Sequence, residues 1–365
     1  MFIGLIMYMV LVWHLYTSKY ISTTVLEPSD EVYDPLTLVS RSHIQTLIPD
    51  EDEAVIFAPD LRHVTNKTVL VFVHSDYSNT ERRQLIRHTW GNPGCQGNGK
   101  AVVIFAVGVK REPAEVVESS LDLEMSEHND ILLLNIVDVY DSLTVKGLLA
   151  MTWIYRKLDR VNYVIKTDDD VFLNIYAWIN AVETLDGENV SCAMAGFVWI
   201  NPEVLRSGKY AVSRDVYRQD LYPSFCCGAG YIMSRGAMAA ILEGSSYIPL
   251  LARDDAYFTG ILAQTMGVSL FAFPTKTLKF TDYFSVRALY SEPLMAVHGL
   301  DTRQWYRLWN GLRGKQRRRH HHQVTIRSIY PDEKGLLLWK LSQVIDNTLK
   351  NNCPSEITFR KVIWA

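Results

Sequence analysis

The chain alternates short apolar runs with longer stretches of helical spacing. Residues 69–75 (VLVFVHS), 101–108 (AVVIFAVG), 130–137 (DILLLNIV), Tyr163-Val164-Ile165 and residues 190–199 are runs of strand length. Near-continuous apolar runs of that length read as strands buried on both faces. Helical patterns lie between them. One carries Glu81, Arg82, Arg83, Ile86, Arg87 and Trp90, an acidic amphipathic one ends near His128, one spans 144–158 with Leu148, Met151 and Ile154 spaced for one face, and one runs to about Leu185. Such alternation predicts an α/β fold, a mostly parallel central sheet flanked by helices. Ligands in these sheets sit at the carboxyl ends of strands. Ser75, Asp138 and Asp168 to Asp170 all fall at such ends.

The run Asp168-Asp169-Asp170 closes a buried strand and precedes another apolar stretch, Val171-Phe172-Leu173. Adjacent carboxylates there repel one another and lose solvation, which a bound cation relieves. Strand alternation points Asp168 and Asp170 one way and Asp169 the other. Oxygen donors of this kind suit a hard divalent ion, with a phosphate-bearing substrate completing the shell. Arg83 and Arg87 share a helix face, which suits either a diphosphate or solvent. Farther on, Cys226 to Gly230 is rich in small residues, Ser234 stands where a helix cap is expected, and Asp254-Asp255 opens a helical pattern. A carboxylate at that position serves either as a cap or as a general base. Residues 313–322 form a basic run, and 336–349 reads as a final amphipathic helix.

Composition narrows the class. The chain has 365 residues and a net charge of −3, which gives no footprint for a nucleic-acid partner. None of the cysteines forms a CxxC pair, so a zinc site is not expected. Residues 2–16 (FIGLIMYMVLVWHLY) are apolar except for His14 and read as an N-terminal membrane anchor. A secretory route permits disulfides and makes Asn66 and Asn189 candidate glycosylation sites. The expected organisation is an anchor at 1–17, a stem at 18–66, a catalytic domain at 67–300 and a basic extension with a terminal helix at 301–365.

Several motifs then fall in order. Glu81 to Gly91 resembles an RRxxIRxTWG signature, Asp138 to Lys146 a DxYxNLTLK stretch, and Lys166 to Phe172 matches KxDDDxF. Lys209-Tyr210, Tyr222-Pro223 and Cys226 to Ser234 resemble KWxxS…YPxYCSGxGYxxS, Asp254 to Tyr257 stands for EDVY, and His298-Gly299 for a late His-Gly. Together these resemble the β-1,3-galactosyltransferase and β-1,3-N-acetylglucosaminyltransferase group of glycosyltransferase family 31, over about residues 69–300. The departures are Asp254 for Glu, Ala256 for Val, Ser142 for Asn and Cys227 for Ser.

The resemblance implies a glycosyltransferase-A-type, Rossmann-like fold in a single-pass type II Golgi membrane protein with a lumenal catalytic domain. It implies inverting transfer from a UDP-sugar, most simply UDP-galactose, to a glycan acceptor on glycoprotein or glycolipid. It allows a homodimer. On that reading Asp168, Asp170 and His298 hold Mn²⁺, and Asp255 is the catalytic base. Arg82, Arg87, Lys146 and Asp169 serve the nucleotide and phosphates, Asp138 the uridine, and Tyr222, Phe225 and Tyr231 the sugar pocket. Transfer of N-acetylglucosamine, a catalytically silent binding protein or chaperone on the same fold, and metal-dependent phosphate hydrolysis stand as alternatives.

Overall fold

The structure is a computed structural model that describes residues 54–66, 68–92, 100–110, 115–187, 190–274, 277–280, 294–316, 325–328 and 338–340. The expected anchor, most of the stem, Asn189 and most of the basic run lie outside the described residues. Among those described, no helix is long and apolar enough to cross a membrane.

The apolar runs are strands. β1 (Val55–Phe57), β2 (Val69–His74), β3 (Ala101–Val109), β4 (Ile131–Val137), β5 (Tyr163–Asp168), β7 (Ala193–Trp199), β8 (Phe225–Ser234), β9 (Ser269–Ala272), β12 (Thr325–Ser328) and β13 (Leu338–Lys340) form one ten-stranded sheet in the order β1-β4-β3-β2-β5-β8-β7-β9-β12-β13. A smaller sheet joins β10 (Leu278–Phe280), β11 (Ala296–His298) and β6 (Val171–Leu173). The helices are α1 (Thr80–Arg87), α2 (Glu115–His128), α3 (Leu143–Lys157), α4 (Ile175–Gly187), α5 (Arg235–Ser245) and α6 (Thr302–Gln316), with a π-helical segment at Ala256–Leu262.

The half built from β2 to β5 is parallel, as the alternation predicts. The sheet as a whole is mixed, not mostly parallel. β8 runs antiparallel to both β5 and β7. Parallel neighbours need a crossover, usually helical. Residues 200–224 contain no helix, so β7 and β8 close as a wide antiparallel pair. The final segment also differs from expectation. Within the helix predicted at 336–349, residues 338–340 are extended and pair with β12.

The topology places a crevice. From β2 the chain moves outward to β3 and β4, then returns through α3 to β5 on the other side of β2. That reversal makes β2 and β5 the switch point, where crossovers diverge and leave open space beyond the strand ends. Strand alternation divides β2. Val69, Val71 and Val73 join the core with Leu85 and Ile86 of α1, Trp178 of α4 and Trp305 of α6. Phe72 and His74 face the other way, and the His74 ring lies near Gly147 of α3.

Helix α6 belongs to this core although it lies beyond the expected domain limit at 300. Trp305, Leu308 and Trp309 are spaced to share one face and are buried. The Trp305 ring packs edge-on to Phe172 at 5.5 Å. Its indole N–H donates to Thr89 Oγ1 at 2.9 Å. A Trp305→Ala change would cost about 3–5 kcal/mol by cavity creation.

Candidate active site

The carboxylate run sits at the switch point. Asp168 ends β5 in register with His74 at the end of β2. Two residues earlier on the same face, Lys166 is almost fully buried. Its ammonium lies 2.8 Å from Asp168 Oδ1 and 3.3 Å from Asp254 Oδ2. It also donates to the Gly228 carbonyl at 3.2 Å. Lys166 therefore joins the end of β5 to the Asp254-Asp255 turn. Loss of solvation works against its charge, but Asp168 and Asp254 hold its pKa well above the usual lysine range.

Asp169 points the other way, as alternation requires. Its Oδ2 accepts from Ser75 Oγ at 2.7 Å and Asn79 Nδ2 at 2.9 Å, and its backbone N–H donates to His74 O at 3.0 Å. This carboxylate fastens the turn to the end of β2. Asp170 turns back to the cavity. Burial raises its pKa, but the hydrogen bond and charge of His298 outweigh burial and hold the carboxyl below its usual range. His298 reaches it because β6 follows the carboxylate run and pairs with β11, placing His298 opposite Val171. The resulting separation is 3.2 Å from His298 Nε2 to Asp170 Oδ2.

Among the described residues, no three His, Cys, Asp or Glu side chains are gathered into a ready metal shell. The residues still fit a divalent ion whose shell a substrate would complete. Asp170 Oδ1 is buried without a hydrogen-bond partner, an unusual state for a carboxylate oxygen. Asp168 faces the same cavity. Carboxylate oxygens are donors that manganese and magnesium accept, and an added imidazole favours the transition metal, manganese.

Asp255 faces this wall from the turn before the π-helical segment. Its Oδ1 accepts from Ala256 N at 2.8 Å and its Oδ2 from Gly228 N at 3.1 Å. The first contact is the cap expected at a helix start. The second ties the turn to β8 at Gly228. Burial and the neighbouring Asp254 push the Asp255 pKa up to about 7. A carboxylate raised that far is poised for proton transfer near neutrality.

A cavity of about 790 Å³ connects these groups. Asp138, Lys146, Asp168, Asp169, Asp170, Asp255, His298, Tyr222 and Phe225 all line it. Lys146 bonds Asp138 Oδ1 at 2.6 Å and the Ser75 carbonyl at 3.1 Å. The Tyr222 hydroxyl is buried without a partner. Asn66 is exposed.

Other expected residues lie elsewhere. Arg87 does not reach the cavity. Its guanidinium clamps Asp130 at 2.8 and 2.7 Å and Glu124 at 2.6 Å. Arg83, fully buried, binds the same Glu124 at 2.7 and 2.8 Å. The shared basic face of α1 thus meets protein carboxylates, neither phosphate nor solvent. Arg82 turns the other way, donating to the Leu300 carbonyl at 3.3 Å; burial raises the Asp169 pKa in spite of the Arg82 charge, which adds to the lowering of Asp170 by His298. Tyr231 is fully buried and is not among the cavity residues. Its ring lies 6.0 Å from the Lys166 ammonium, behind the wall.

Sequence reasoning passed over Lys166 and His74. Both are polar residues within or ending an apolar strand, and that incongruity was the available signal. It also passed over a cluster at the cavity mouth. The Lys209 ammonium lies 5.6 Å from the Tyr140 ring and 5.2 Å from the Tyr210 ring, and the Arg253 guanidinium 5.2 Å from the Tyr140 ring.

The galactosyltransferase family model matches residues 81–274, over half of the chain. The chain belongs to the galactosyltransferase family. Its relatives in that family include the zebrafish (Danio rerio) lactosylceramide 1,3-N-acetyl-beta-D-glucosaminyltransferase A, 33% identical over 56% of this chain. The alignment spans 56% of that relative, so this chain covers about half of its length. Human (Homo sapiens) beta-1,3-galactosyltransferase 1 is 26% identical over 73% of this chain and 81% of its own. Human beta-1,3-galactosyltransferase 5 is 25% identical over 73% and 86%. The family match begins at Glu81 and ends just past β9, so it contains the carboxylate run and the Asp254-Asp255 turn. His298 lies beyond it.

Proposed function

We propose that this protein is a metal-dependent, inverting β-1,3-glycosyltransferase that moves a sugar, most simply galactose, from a UDP-sugar to a glycan hydroxyl. One observation carries the reading. A half-buried carboxylate raised toward neutrality, Asp255, opens onto the same cavity as the Asp168, Asp170 and His298 wall.

Asp255 accepts the proton of the acceptor hydroxyl through a carboxylate oxygen. The acceptor oxygen then bonds to the anomeric carbon from the face opposite the nucleotide. The bond from that carbon to the UDP oxygen breaks, and UDP departs with the electron pair. A single displacement inverts the anomeric centre and needs no protein nucleophile. Mn²⁺, when bound by Asp170, Asp168 and His298, supplies charge neutralisation for the leaving diphosphate. Asp138 accepts from the uridine, Lys146 and Arg82 contribute positive charge near the nucleotide, and Asp169 keeps the turn fixed. Tyr222 and Phe225 shape the sugar pocket, with the orphaned Tyr222 hydroxyl available to a sugar oxygen.

The second reading changes only the donor. N-acetylglucosamine transfer is favoured by the activity for which the zebrafish relative is named. Lumenal Golgi placement behind an anchor at 1–17, with glycans on Asn66 and Asn189, completes the proposal. The test is UDP release with Mn²⁺ and a panel of UDP-sugars, with and without a β-linked acceptor. Acceptor-dependent release from one donor, lost on adding EDTA, is expected. Phosphate release without acceptor would overturn the assignment in favour of hydrolysis, and binding without turnover would favour a silent protein.

A further inference from the structure

Among the described residues that line the cavity, His74 is the one with two unsatisfied side-chain atoms. It is 4% exposed, and neither ring nitrogen has a hydrogen-bond partner. Buried imidazoles are ordinarily fixed by at least one hydrogen bond, because leaving one unmade forfeits solvation with no return. The ring is confined by Phe72, whose centroid is 5.5 Å away, and by α3, where a Cβ on Gly147 would come within 3.5 Å of it. Its remaining side is cavity.

Its neighbours define what it can bind. His74 stands on the sheet face that carries Lys166 and Asp168, and Lys146 approaches from α3. Packed between the Phe72 ring and α3, the buried imidazole is neutral. A neutral imidazole offers one N–H and one lone pair. That pairing suits an uncharged group with both donor and acceptor character, such as a pyrimidine edge or a ribose hydroxyl. It does not suit a phosphate, which presents only acceptors and is served by the adjacent lysines.

We infer that His74 is a specificity-determining residue that reads the uncharged nucleoside half of the donor. This rests on the nucleotide-sugar reading proposed above. It also explains why an unsatisfied imidazole stands at the switch point. The site keeps its hydrogen-bonding capacity free for substrate, at a cost in stability to the free protein.

The experiment measures binding by calorimetry with Mn²⁺, using UDP and inorganic pyrophosphate, on the wild type, His74→Leu and His74→Gln. His74→Leu is expected to weaken UDP about tenfold or more and to leave pyrophosphate unchanged, with His74→Gln recovering part of the loss. Without ligand, His74→Leu is expected to melt at a higher temperature than the wild type, because an unsatisfied polar ring is gone. Equal weakening of UDP and pyrophosphate, or unchanged UDP affinity, overturns the inference. A lower melting temperature with UDP affinity intact makes His74 a packing residue and also overturns it. Failure of the wild type to bind UDP would instead remove the nucleotide-sugar reading.

Discussion

Two regions gather charge at close quarters, one buried around α1 and one half-exposed at the switch point, and they differ in how that charge is satisfied. Around α1, Arg83 and Arg87 share Glu124, and Arg87 also clamps Asp130. At the switch point, Asp168, Asp170, Asp254 and Asp255 meet Lys166 and His298. In the first region the carboxylates are matched by forked guanidinium bonds. In the second, Asp170 Oδ1, the His74 ring nitrogens and the Tyr222 hydroxyl are buried without hydrogen bonds. A satisfied network stabilises a scaffold. An unsatisfied one holds bonding capacity for something that arrives later. Motif density does not separate the two, since both lie in stretches that resemble family signatures.

The largest expected effect breaks the second region. Asp255→Asn should lower turnover by about 10²–10⁴-fold, the usual contribution of a positioned general base, with UDP affinity little changed. Product assay and calorimetry check it, and substantial residual turnover would remove Asp255 as the base. For the wild type, kcat should rise as pH passes through about 7, because the base works only when deprotonated. Stability runs the opposite way. The folded-state pKa of Asp255 is raised, so its contribution is fully present below the unfolded value near 3.8 and is lost as pH rises through about 7. Asp255→Asn should therefore raise Tm relative to wild type more at pH 8 than at pH 5. A stability gain of the same size at both would contradict the burial of that charge.

The next effect breaks the first region. Glu124→Ala leaves Arg83, with a fully buried side chain, facing no carboxylate. Breaking a buried pair in this way costs about 3–5 kcal/mol. Urea denaturation of the refolded variant checks it. Arg87→Ala is expected to cost less, about 1–3 kcal/mol, because Glu124 keeps Arg83 while Asp130 is partly solvated. UDP affinity should not change in the Arg87 variant. A marked fall in that affinity, with stability preserved, would return Arg87 to the nucleotide site.

Much of the parallel half was legible because a strand buried on both faces has little choice but a continuous apolar run. The carboxylate run was legible for the converse reason, as charge set against such a run. The sense of β8 was harder to read, although the absence of a helical pattern between β7 and β8 bears on it. Partners across the chain were harder still. Arg87 and Arg82 look alike in sequence, and only the placement of Glu124 and Asp130 decides which faces protein. His298 approaches Asp170 through the β6 and β11 pairing, which local pattern does not reveal, so the residue was reached by resemblance alone. In α6, the spacing of Trp305, Leu308 and Trp309 was visible, but the basic run that follows masked it.

The smallest expected effect tests whether charge pairing as such matters. Lys100 and Glu183 form an ion pair at 2.6 Å, as short as any in the α1 network, but with side chains 43% and 47% exposed. Water screens both groups, and fixing two long side chains costs entropy that offsets the attraction. Glu183→Gln should shift unfolding free energy by no more than about 0.5 kcal/mol, and less at high salt. If it cost as much as Arg87→Ala, distance alone would rank these pairs, and burial would not account for the strength of the α1 network. Near-equality of Glu183→Gln with wild type, beside a large Glu124→Ala effect, would tie the strength of the α1 network to desolvation.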